Sequence, residues 1–281
     1  MTRPVIAVTG CTGAVGGAVA RLLADAGASQ RLLARSPDRA PALPGAEVRA
    51  SEYADAASSA AALEGVDVLF MVSAHETADR VDQHRAFIDA AARAGVRHVV
   101  YTSFHAAGPD AVFTLARDHG ATEEHLRGSG LDWTFLRDSF YLDFAPHLVG
   151  DDGVIRGPAG QGRYAPVARA DVARCAATVL QDPAAHRGST YELTGRESLT
   201  MAEVAATIAA ATGSAVRFHD ETVAEAHASR APYGAPDWQV DAWVSTYTSI
   251  ASGEQDVLSS DVLDLTGRVP VTLAEHLASE G

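Results

Sequence analysis

The sequence predicts an α/β protein built on a doubly wound parallel sheet, with a small mixed lobe in its C-terminal part. Short apolar runs and amphipathic stretches alternate without exception over about 135 residues, which is typical of repeated strand–helix–strand units. The apolar run over residues 66–72 is continuous, as in a strand that helices cover on both faces. A glycine-rich segment joins the first apolar run to the first helical pattern. These three observations together predict the fold class.

The individual strands follow from apolar or β-branched runs, and the helices between them follow from apolar residues at helical intervals. The predicted strands cover residues 5–8, 30–36, 47–50, 66–72, 97–103 and 132–136. The predicted helices begin after the glycine-rich segment and then cover residues 55–63, 76–94 and 113–127. Gly27, Gly95 and Gly128 stand where three of these helices are predicted to end.

Beyond residue 150 the alternation stops and a second region begins. Residues 153–162 are rich in Gly and Pro, and they predict a loop or a short hairpin. Thr200 is followed three positions later by Glu203, which is the capping-box pattern of a helix start. The other elements predicted here are a helix over 169–180, a seventh strand over 189–193, a short strand over 216–219 and a mostly helical chain after it.

The glycine-rich segment has the pattern Gly-x-x-Gly-x-x-Gly and lies between the first strand and the first helix. Glycine lets the backbone turn sharply, approach an anion closely and pack the helix tightly on the strand, while free N–H groups of the first helical turn face a pyrophosphate. The candidate cofactor-binding residues of this Rossmann-type dinucleotide site are Gly10, Thr12, Gly13, Ala14, Val15 and Gly16. The alternative is a tight turn that binds no ligand.

The end of the second strand indicates which dinucleotide is preferred. An NAD-selective site usually has an acidic residue there to accept a hydrogen bond from the ribose 2′-hydroxyl. This chain has Arg35 and Ser36 instead. A guanidinium with a neighbouring hydroxyl suits a 2′-phosphate, so NADP(H) is the predicted cofactor. A solvated arginine without a ligand is the alternative.

Residues after the other strands are candidates for the rest of the site, because ligands of open α/β sheets bind at the carboxyl ends of the strands. Tyr53 is expected near the adenine ring, Ser73 and Ala74 on the ligand side of the fourth strand, and Thr102 and Ser103 near the nicotinamide ribose. The candidate substrate pocket consists of Phe104, His105, Phe140 and Tyr141. Aromatic side chains stack well on a planar acceptor, although core packing alone also explains them.

These placements predict how the chain is divided. Residues 1–150 are expected to form the dinucleotide-binding domain, completed by residues 165–195. Residues 151–281 are expected to form the small substrate-binding lobe over the carboxyl ends of the strands.

Composition and charge narrow the function further. The net charge of −14 argues against a nucleic-acid partner, and no apolar run reaches the roughly 18 residues that cross a bilayer, so a cytoplasmic protein is expected. All 22 basic residues are arginine, which excludes Schiff-base chemistry and a Tyr-x-x-x-Lys pair. The 11 histidines show no spacing typical of metal ligands, and no Gly-x-Ser-x-Gly motif occurs. Neither a metal site nor a hydrolase is therefore expected. A small-molecule partner is expected, bound by a monomer or a homodimer.

Several segments together resemble one family over nearly the whole chain. They are TGCTGAVGG at residue 9, the strand-end Arg35, VYTSF at 100, DHGATEEHL at 118, LDWTFLRDSFY at 131 and VLDLTGRVPVTLAEHL at 262. With them the chain resembles the NmrA-like atypical short-chain dehydrogenases/reductases. Within that family it is most similar to the group of NADPH-dependent quinone oxidoreductases and triphenylmethane reductases.

The resemblance implies an NADPH-binding Rossmann domain and hydride transfer to a small conjugated acceptor such as a quinone. Members of the group lack the usual tyrosine–lysine pair, with which the absence of lysine agrees. Other NmrA-like proteins have lost catalysis and act as NADP(H)-binding redox sensors or regulators, and the resemblance does not separate the two outcomes.

The candidate catalytic residue is His119, on the helix after the fifth strand. The resembling reductases often have a histidine in this segment, which could hydrogen-bond the nicotinamide ribose or protonate the reduced substrate. The alternative is a partly exposed histidine without a role.

Overall fold

The computed structural model describes residues 4–280, and side chains up to residue 279. Residues 1–3 and 281, which fall within the two predicted domains, lie outside the described residues. The strands are β1 Ile6–Val8, β2 Gln30–Ala34, β3 Ala46–Ala50, β4 Val68–Met71, β5 His98–Phe104, β6 Asp132–Asp138, β7 Val154–Gly157, β8 Arg163–Tyr164, β9 Ser189–Leu193, β10 Leu199–Thr200 and β11 Arg217–Asp220. The helices are α1 Ala14–Asp25, α2 Ala56–Leu63, α3 Arg80–Ala94, α4 Thr114–Gly128, α5 Arg169–Gln181, α6 Met201–Thr212, α7 Val223–Arg230, α8 Asp237–Ala251, α9 Asp261–Thr266 and α10 Leu273–Glu280.

The central sheet has the strand order β3-β2-β1-β4-β5-β6-β9. β1 pairs in parallel with β2 on one side and with β4 on the other, so that Val8 lies between Leu32 and Phe70. The order of strands therefore reverses at β1, which is the switch point where open sheets of this kind bind dinucleotides. The predicted Rossmann-type doubly wound fold is confirmed, including β9 as the seventh strand.

The helix α3 begins four residues later than its pattern predicts. The segment before it closes a turn in which the N–H of Arg80 donates to the carbonyl oxygen of Thr77. The helix ends as expected, with Gly95 in the left-handed conformation at φ 83°. The delayed start leaves a longer loop after β4, on the side of the sheet where ligands bind.

The chain divides into two compact units. Unit 1 comprises the chain up to Phe104 together with Asp118–Arg137 and Arg169–Tyr191, and unit 2 comprises His105–Arg117, Asp138–Ala168 and the chain from Glu192 onwards. The chain therefore passes between the units repeatedly.

Unit 2 corrects the hairpin predicted over residues 153–162. β7 pairs in parallel with the distant β11, and β8 pairs antiparallel with β10. The glycines there are packing positions: a Cβ on Gly157 would lie 2.3 Å from the ring of Tyr247, and one on Gly162 would lie 2.1 Å from the carbonyl oxygen of Ile250. Glycine thus marks close approach to α8 as well as a turn. The predicted capping box is present, with Thr200 and Glu203 bonded reciprocally.

Among residues 4–280, no helix has the length and apolar character that crossing a membrane requires.

Candidate functional site

The glycine-rich loop of unit 1 needs glycine for two separate reasons. Gly10 has a φ of 60°, and a Cβ there would lie 3.1 Å from Cβ of Val72. A Cβ on Gly16 would lie 2.4 Å from the carbonyl oxygen of Gly10 and 2.5 Å from that of Thr9. The N–H of Gly13 closes the loop by donating to the carbonyl oxygen of Gly10 at 2.8 Å. The loop is therefore a sharp turn followed by a helix packed directly on backbone.

The first turn of α1 offers free backbone donors. The first bond within the helix runs from the N–H of Gly17 to the carbonyl oxygen of Gly13 at 3.0 Å, so the three preceding N–H groups point out of the helix end. This turn contains no acidic side chain. Thr12, Gly13 and Ala14 are exposed, whereas Val15 is buried. A pyrophosphate fits this arrangement, because the donors and the positive end of the helix dipole face the same exposed position.

Two arginines after β2 have no side-chain partner among residues 4–280. Arg35 and Ser36 are exposed directly after the strand, and Arg39 follows in a short 3₁₀ turn. Within the described chain, neither Arg35 nor Arg39 forms a side-chain hydrogen bond or an ion pair. Arg31 on the same strand, by contrast, is bonded to Glu47. Sequence reasoning selected Arg35 but passed over Arg39, although a second basic residue four positions later is the signal for it.

Tyr53 is anchored in the protein through its hydroxyl group. That oxygen lies 2.7 Å from Oγ1 of Thr9 and 2.6 Å from the carbonyl oxygen of Val72, and its ring stacks on Phe87 with centroids 4.2 Å apart. Burial raises the pKa of the Tyr53 phenol. Tyr53 therefore ties the segments after β1, β3 and β4 together beneath Gly10, and its contact with an adenine ring stays a prediction.

The side chains of Thr102 and Ser103 are turned into the protein. Oγ1 of Thr102 accepts a hydrogen bond from the N–H of Ser73 at 2.9 Å, and Oγ of Ser103 donates to Glu123 at 2.6 Å. Every residue of β5 is buried, so hydroxyls near its end find partners inside the protein. The two hydroxyls join β5 to β4 and α4, and the placement of Thr102 and Ser103 near the nicotinamide ribose stays a prediction.

His119 is a buried residue in a network of hydrogen bonds, which corrects the alternative of a partly exposed histidine, while its catalytic role stays a prediction. Its Nε2 lies 3.0 Å from Nη2 of Arg80, and its Nδ1 lies 3.0 Å from the hydroxyl of Tyr101. Because a guanidinium can only donate, Nε2 accepts and Nδ1 carries the proton. Burial, with the charge of Arg80, holds the pKa of His119 well below its usual value. Both causes favour the neutral form of the imidazole.

A second buried histidine supports the loop after β4. Nε2 of His84 accepts from the N–H of Ala74 at 2.8 Å, so its proton is on Nδ1, which lies 2.8 Å from the hydroxyl of Thr122. Burial, with Arg80 as a lesser cause, lowers the pKa of His84 to about 3. The predicted site residue Ala74 is thus held by its backbone. No sequence signal identified His84.

Phe104 and His105 are also buried, which limits their access to a substrate. The ring of Phe104 lies 6.0 Å from that of His119 in unit 1. In unit 2, Nδ1 of His105 lies 2.6 Å from Oε2 of Glu192, and Nε2 donates to the carbonyl oxygen of Glu254 at 3.1 Å. Both ring nitrogens of His105 are therefore engaged, and its contribution to a pocket is apolar surface at most.

The aromatic residues predicted after β6 lie together in unit 2. Phe140 packs edge to face against Phe113 and Tyr164, with centroids 5.2 and 6.2 Å away. The hydroxyl of Tyr141 donates to Oδ2 of Asp138 at 2.5 Å. Sequence analysis did not select Asp138, since an acid next to Arg137 is typical of a surface ion pair. Its position at the carboxyl end of a strand is the signal that could have identified it.

Within the described residues, no group of three or more His, Cys, Asp or Glu side chains is arranged to hold a metal ion.

Comparison with known proteins relates the whole chain to reductases. A family model described as NAD(P)H-binding matches residues 10–183. Quinone oxidoreductase 2 of Escherichia coli is 34% identical, with 97% of each chain covered. An NAD(P)H azoreductase of Xenophilus azovorans is 32% identical, over 98% of this chain and 99% of the relative. A (4-alkanoyl-5-oxo-2,5-dihydrofuran-3-yl)methyl phosphate reductase of Streptomyces griseus is 37% identical, over 94% of this chain and 93% of the relative.

Solved structures give the same relationship. The E. coli NADPH-dependent quinone oxidoreductase complexed with NADPH has a TM-score of 0.89, with 98% of this chain and 99% of that chain covered. The Citrobacter triphenylmethane reductase complexed with NADP(H) has a TM-score of 0.86 at 30% identity, with 98% and 99% covered. NmrA, a negative transcriptional regulator, in complex with NADP has a TM-score of 0.74 at 19% identity, with 99% and 95% covered, and therefore shares the fold alone.

Proposed function

The chain belongs to the NAD(P)H-binding family, and from this membership we propose that it is an NADPH-dependent reductase that transfers a hydride to a small conjugated acceptor such as a quinone. The observation that carries the choice of cofactor is the pair of unpartnered arginines, Arg35 and Arg39, after β2. An acidic residue at the strand end would repel a 2′-phosphate, whereas a free guanidinium binds it with charge-assisted hydrogen bonds.

The residues of unit 1 divide the binding of the cofactor between them. The glycine loop and the N–H groups of Ala14, Val15 and Gly16 bind the pyrophosphate, and Arg35 with Ser36 binds the 2′-phosphate. The bound nicotinamide supplies the hydride, and the protein aligns the acceptor against it. Ser73 and Ala74 contribute backbone atoms to the site, because their backbone is fixed in position. The N–H of Ser73 donates to Thr102, and the N–H of Ala74 donates to His84.

Unit 2 supplies the acceptor-binding residues in this proposal. Phe113, Phe140, Tyr141 and Tyr164 provide aromatic surface on which a planar acceptor stacks. The absence of lysine fits such an acceptor, because delocalisation lowers the need for a strong acid during hydride transfer.

Two kinds of support favour a reductase over a non-catalytic sensor. The relatives at 30% identity or more, matched over almost their full lengths, have names of reductases. The regulator shares only the fold at 19% identity. We further propose a cytoplasmic monomer or homodimer.

The test is turnover with purified protein, NADPH and a panel containing a quinone, an azo dye and a cationic triphenylmethane dye, followed by nicotinamide absorbance. Oxidation of NADPH that depends on the acceptor is expected. Tight binding of NADPH without oxidation by any acceptor would overturn the reductase proposal in favour of the sensor. A parallel titration with NADH tests the cofactor preference, and equal affinity for both nucleotides contradicts the role of the arginines.

A further inference from the structure

The end of β6 places a buried carboxyl group where ligands of such a sheet bind. Asp138 is the last residue of the strand, and its carbonyl oxygen accepts from the N–H of His105 at 2.8 Å. The next N–H, of Ser139, donates to the carbonyl oxygen of Leu193 at 3.0 Å. The backbone is thus held on both sides, so the position of the Asp138 side chain is well defined.

The carboxyl group of Asp138 has one partner and no counter-charge. Asp138 is 3% exposed; Oδ2 accepts from Tyr141, and Oδ1 is buried without a hydrogen-bond partner in the part of the chain described. The titratable groups at the neighbouring strand ends, His105 and Glu192, pair with each other at 2.6 Å. Burial therefore raises the pKa of Asp138 to about 8, against the opposing hydrogen bond from Tyr141. The acid carries its proton at neutral pH.

Stability alone gives no reason for an acid at this place. An ionisable group buried without a counter-charge and with an unpartnered oxygen costs free energy that an amide or an apolar side chain would not. Ser139, its neighbour, also has a buried hydroxyl without a hydrogen-bond partner within residues 4–280. Tyr141 is partly exposed, so it is the more exposed member of the pair.

We propose that Tyr141 and Asp138 form the proton-donating pair of the reductase, with Tyr141 giving its hydroxyl proton to the reduced acceptor and Asp138 returning one to Tyr141. This inference rests on the proposed function. A quinone that accepts a hydride becomes an oxyanion, and its neutral product requires one proton. When Asp138 is protonated on Oδ2, its O–H donates to the Tyr141 oxygen across the same 2.5 Å contact, and the Tyr141 hydroxyl is then free to donate to the acceptor. The O–H bond of Tyr141 breaks as one forms on the acceptor, and the O–H bond of Asp138 breaks as one forms on Tyr141. Water then reprotonates Asp138, and both electrons come from the reduced nicotinamide.

The other candidate donors are unsuitable on the same structural grounds. His119 is neutral and fully engaged in unit 1, and both nitrogens of His105 are occupied. The chain contains no lysine. The Asp138–Tyr141 pair differs from them in holding an acidic proton behind a partly exposed hydroxyl.

The decisive experiment compares an acceptor that needs a proton with one that does not. A cationic triphenylmethane dye becomes neutral on taking up a hydride alone, whereas a quinone also takes up a proton. Tyr141→Phe should lower kcat for the quinone by about 100-fold, in the range of general-acid contributions, and lower kcat for the dye by a much smaller factor, because Phe keeps the aromatic ring but has no proton to give. Tyr233→Phe, which removes a hydroxyl from an exposed tyrosine elsewhere in unit 2, is the matched control and should change neither rate.

Asp138→Asn tests the second member while keeping the shape of the side chain. Quinone turnover of the wild-type protein should fall as pH rises through about 8, because the acid form is required, and this fall should be absent in Asp138→Asn. Independently of turnover, an infrared band of a protonated carboxyl group should disappear over the same pH range in the wild type and be missing in the variant.

The outcomes separate the two proposals. Equal loss of quinone and dye reduction in Tyr141→Phe, or unchanged quinone reduction in both variants, overturns the proton-donating pair while the reductase proposal stands. A wild-type protein that reduces no acceptor overturns both. If the wild-type protein reduces the quinone but not the dye, the pH profile of quinone turnover and the infrared band decide. The absence of either signal contradicts the proton-donating pair.

Discussion

In unit 1, helix α1 packs so closely on the preceding turn that Gly16 contacts Gly10 through backbone atoms alone. A Cβ on Gly16 would lie 2.4 Å from the carbonyl oxygen of Gly10. That carbonyl also accepts from the N–H of Gly13, so it has no room to move without opening the turn. The contact therefore couples the packing of α1 to the shape of the loop that faces the phosphates.

The substitution Gly16→Ala should destabilise the fold and weaken nucleotide binding together. The new methyl group would meet backbone atoms rather than a flexible side chain, and such overpacking costs about 1–3 kcal/mol of unfolding free energy. Urea unfolding and a fluorescence titration with NADPH measure the two effects. Gly128→Ala is the control, because a Cβ there would meet nothing within 4 Å and the residue ends α4. A Gly16→Ala protein with wild-type stability would contradict the coupling.

The glycine loop and the sheet were predictable because both depend on local pattern. The spacing of Gly10, Gly13 and Gly16 between an apolar run and a helical one specifies strand, turn and helix without knowledge of distant residues. The direction of a side chain at a strand end depends instead on what packs beside it. Thr102 and Ser103 lie at the end of a strand as predicted, but the hydrogen bonds of their hydroxyls with Ser73 and Glu123 depend on residues distant in the sequence.

The preference for NADPH should depend on Arg35. Replacing it with Gln removes a charged donor, which is typically worth about 1.5–3 kcal/mol, so the Kd for NADPH should rise by roughly 10- to 100-fold. The Kd for NADH should not change, because NADH lacks the 2′-phosphate. Arg217→Gln, at an exposed position in unit 2, controls for the change in net charge. A parallel loss of NADH affinity would show that Arg35 acts on the fold rather than on the phosphate.

His119→Ala should affect stability more than chemistry. Its loss removes the hydrogen bonds that it forms with the buried Arg80 and Tyr101, and a buried polar atom left unsatisfied costs about 1–3 kcal/mol. The pH dependence of turnover by the folded protein should stay that of the wild type, since a neutral imidazole donates no proton there. His125→Ala on the same helix is the control, because His125 forms a more exposed pair with Asp89. If the fall in turnover at high pH were absent in His119→Ala but present in the control, His119 would be a proton donor.

The buried polar groups explain why the chemistry could not be predicted as well as the fold. Asp138 lies far in the sequence from Arg80 and His84, and each of the three looks like an ordinary surface residue until its burial is known. The burial of these three residues results from the packing of several elements, and no periodic pattern in the sequence indicates it. Only the positions of Asp138 and Tyr141, directly at and after a strand end, were accessible to sequence reasoning.

His84 should make the protein less stable in mild acid. Its pKa is about 3 in the folded protein against the ordinary value of 6.5, so between these values the unfolded chain binds a proton that the folded protein does not. Stability therefore falls as pH drops through this window, by about 1.4 kcal/mol per pH unit from this histidine. His84→Gln keeps an acceptor for Ala74 and a donor for Thr122 but does not titrate, so its unfolding free energy should depend on pH with a slope smaller by one proton. Urea unfolding between pH 4 and 6.5 measures the difference, with the exposed His147→Gln as the control. Equal slopes for wild type and His84→Gln would mean that His84 is protonated in the fold, and that the loop after β4 is held in another way.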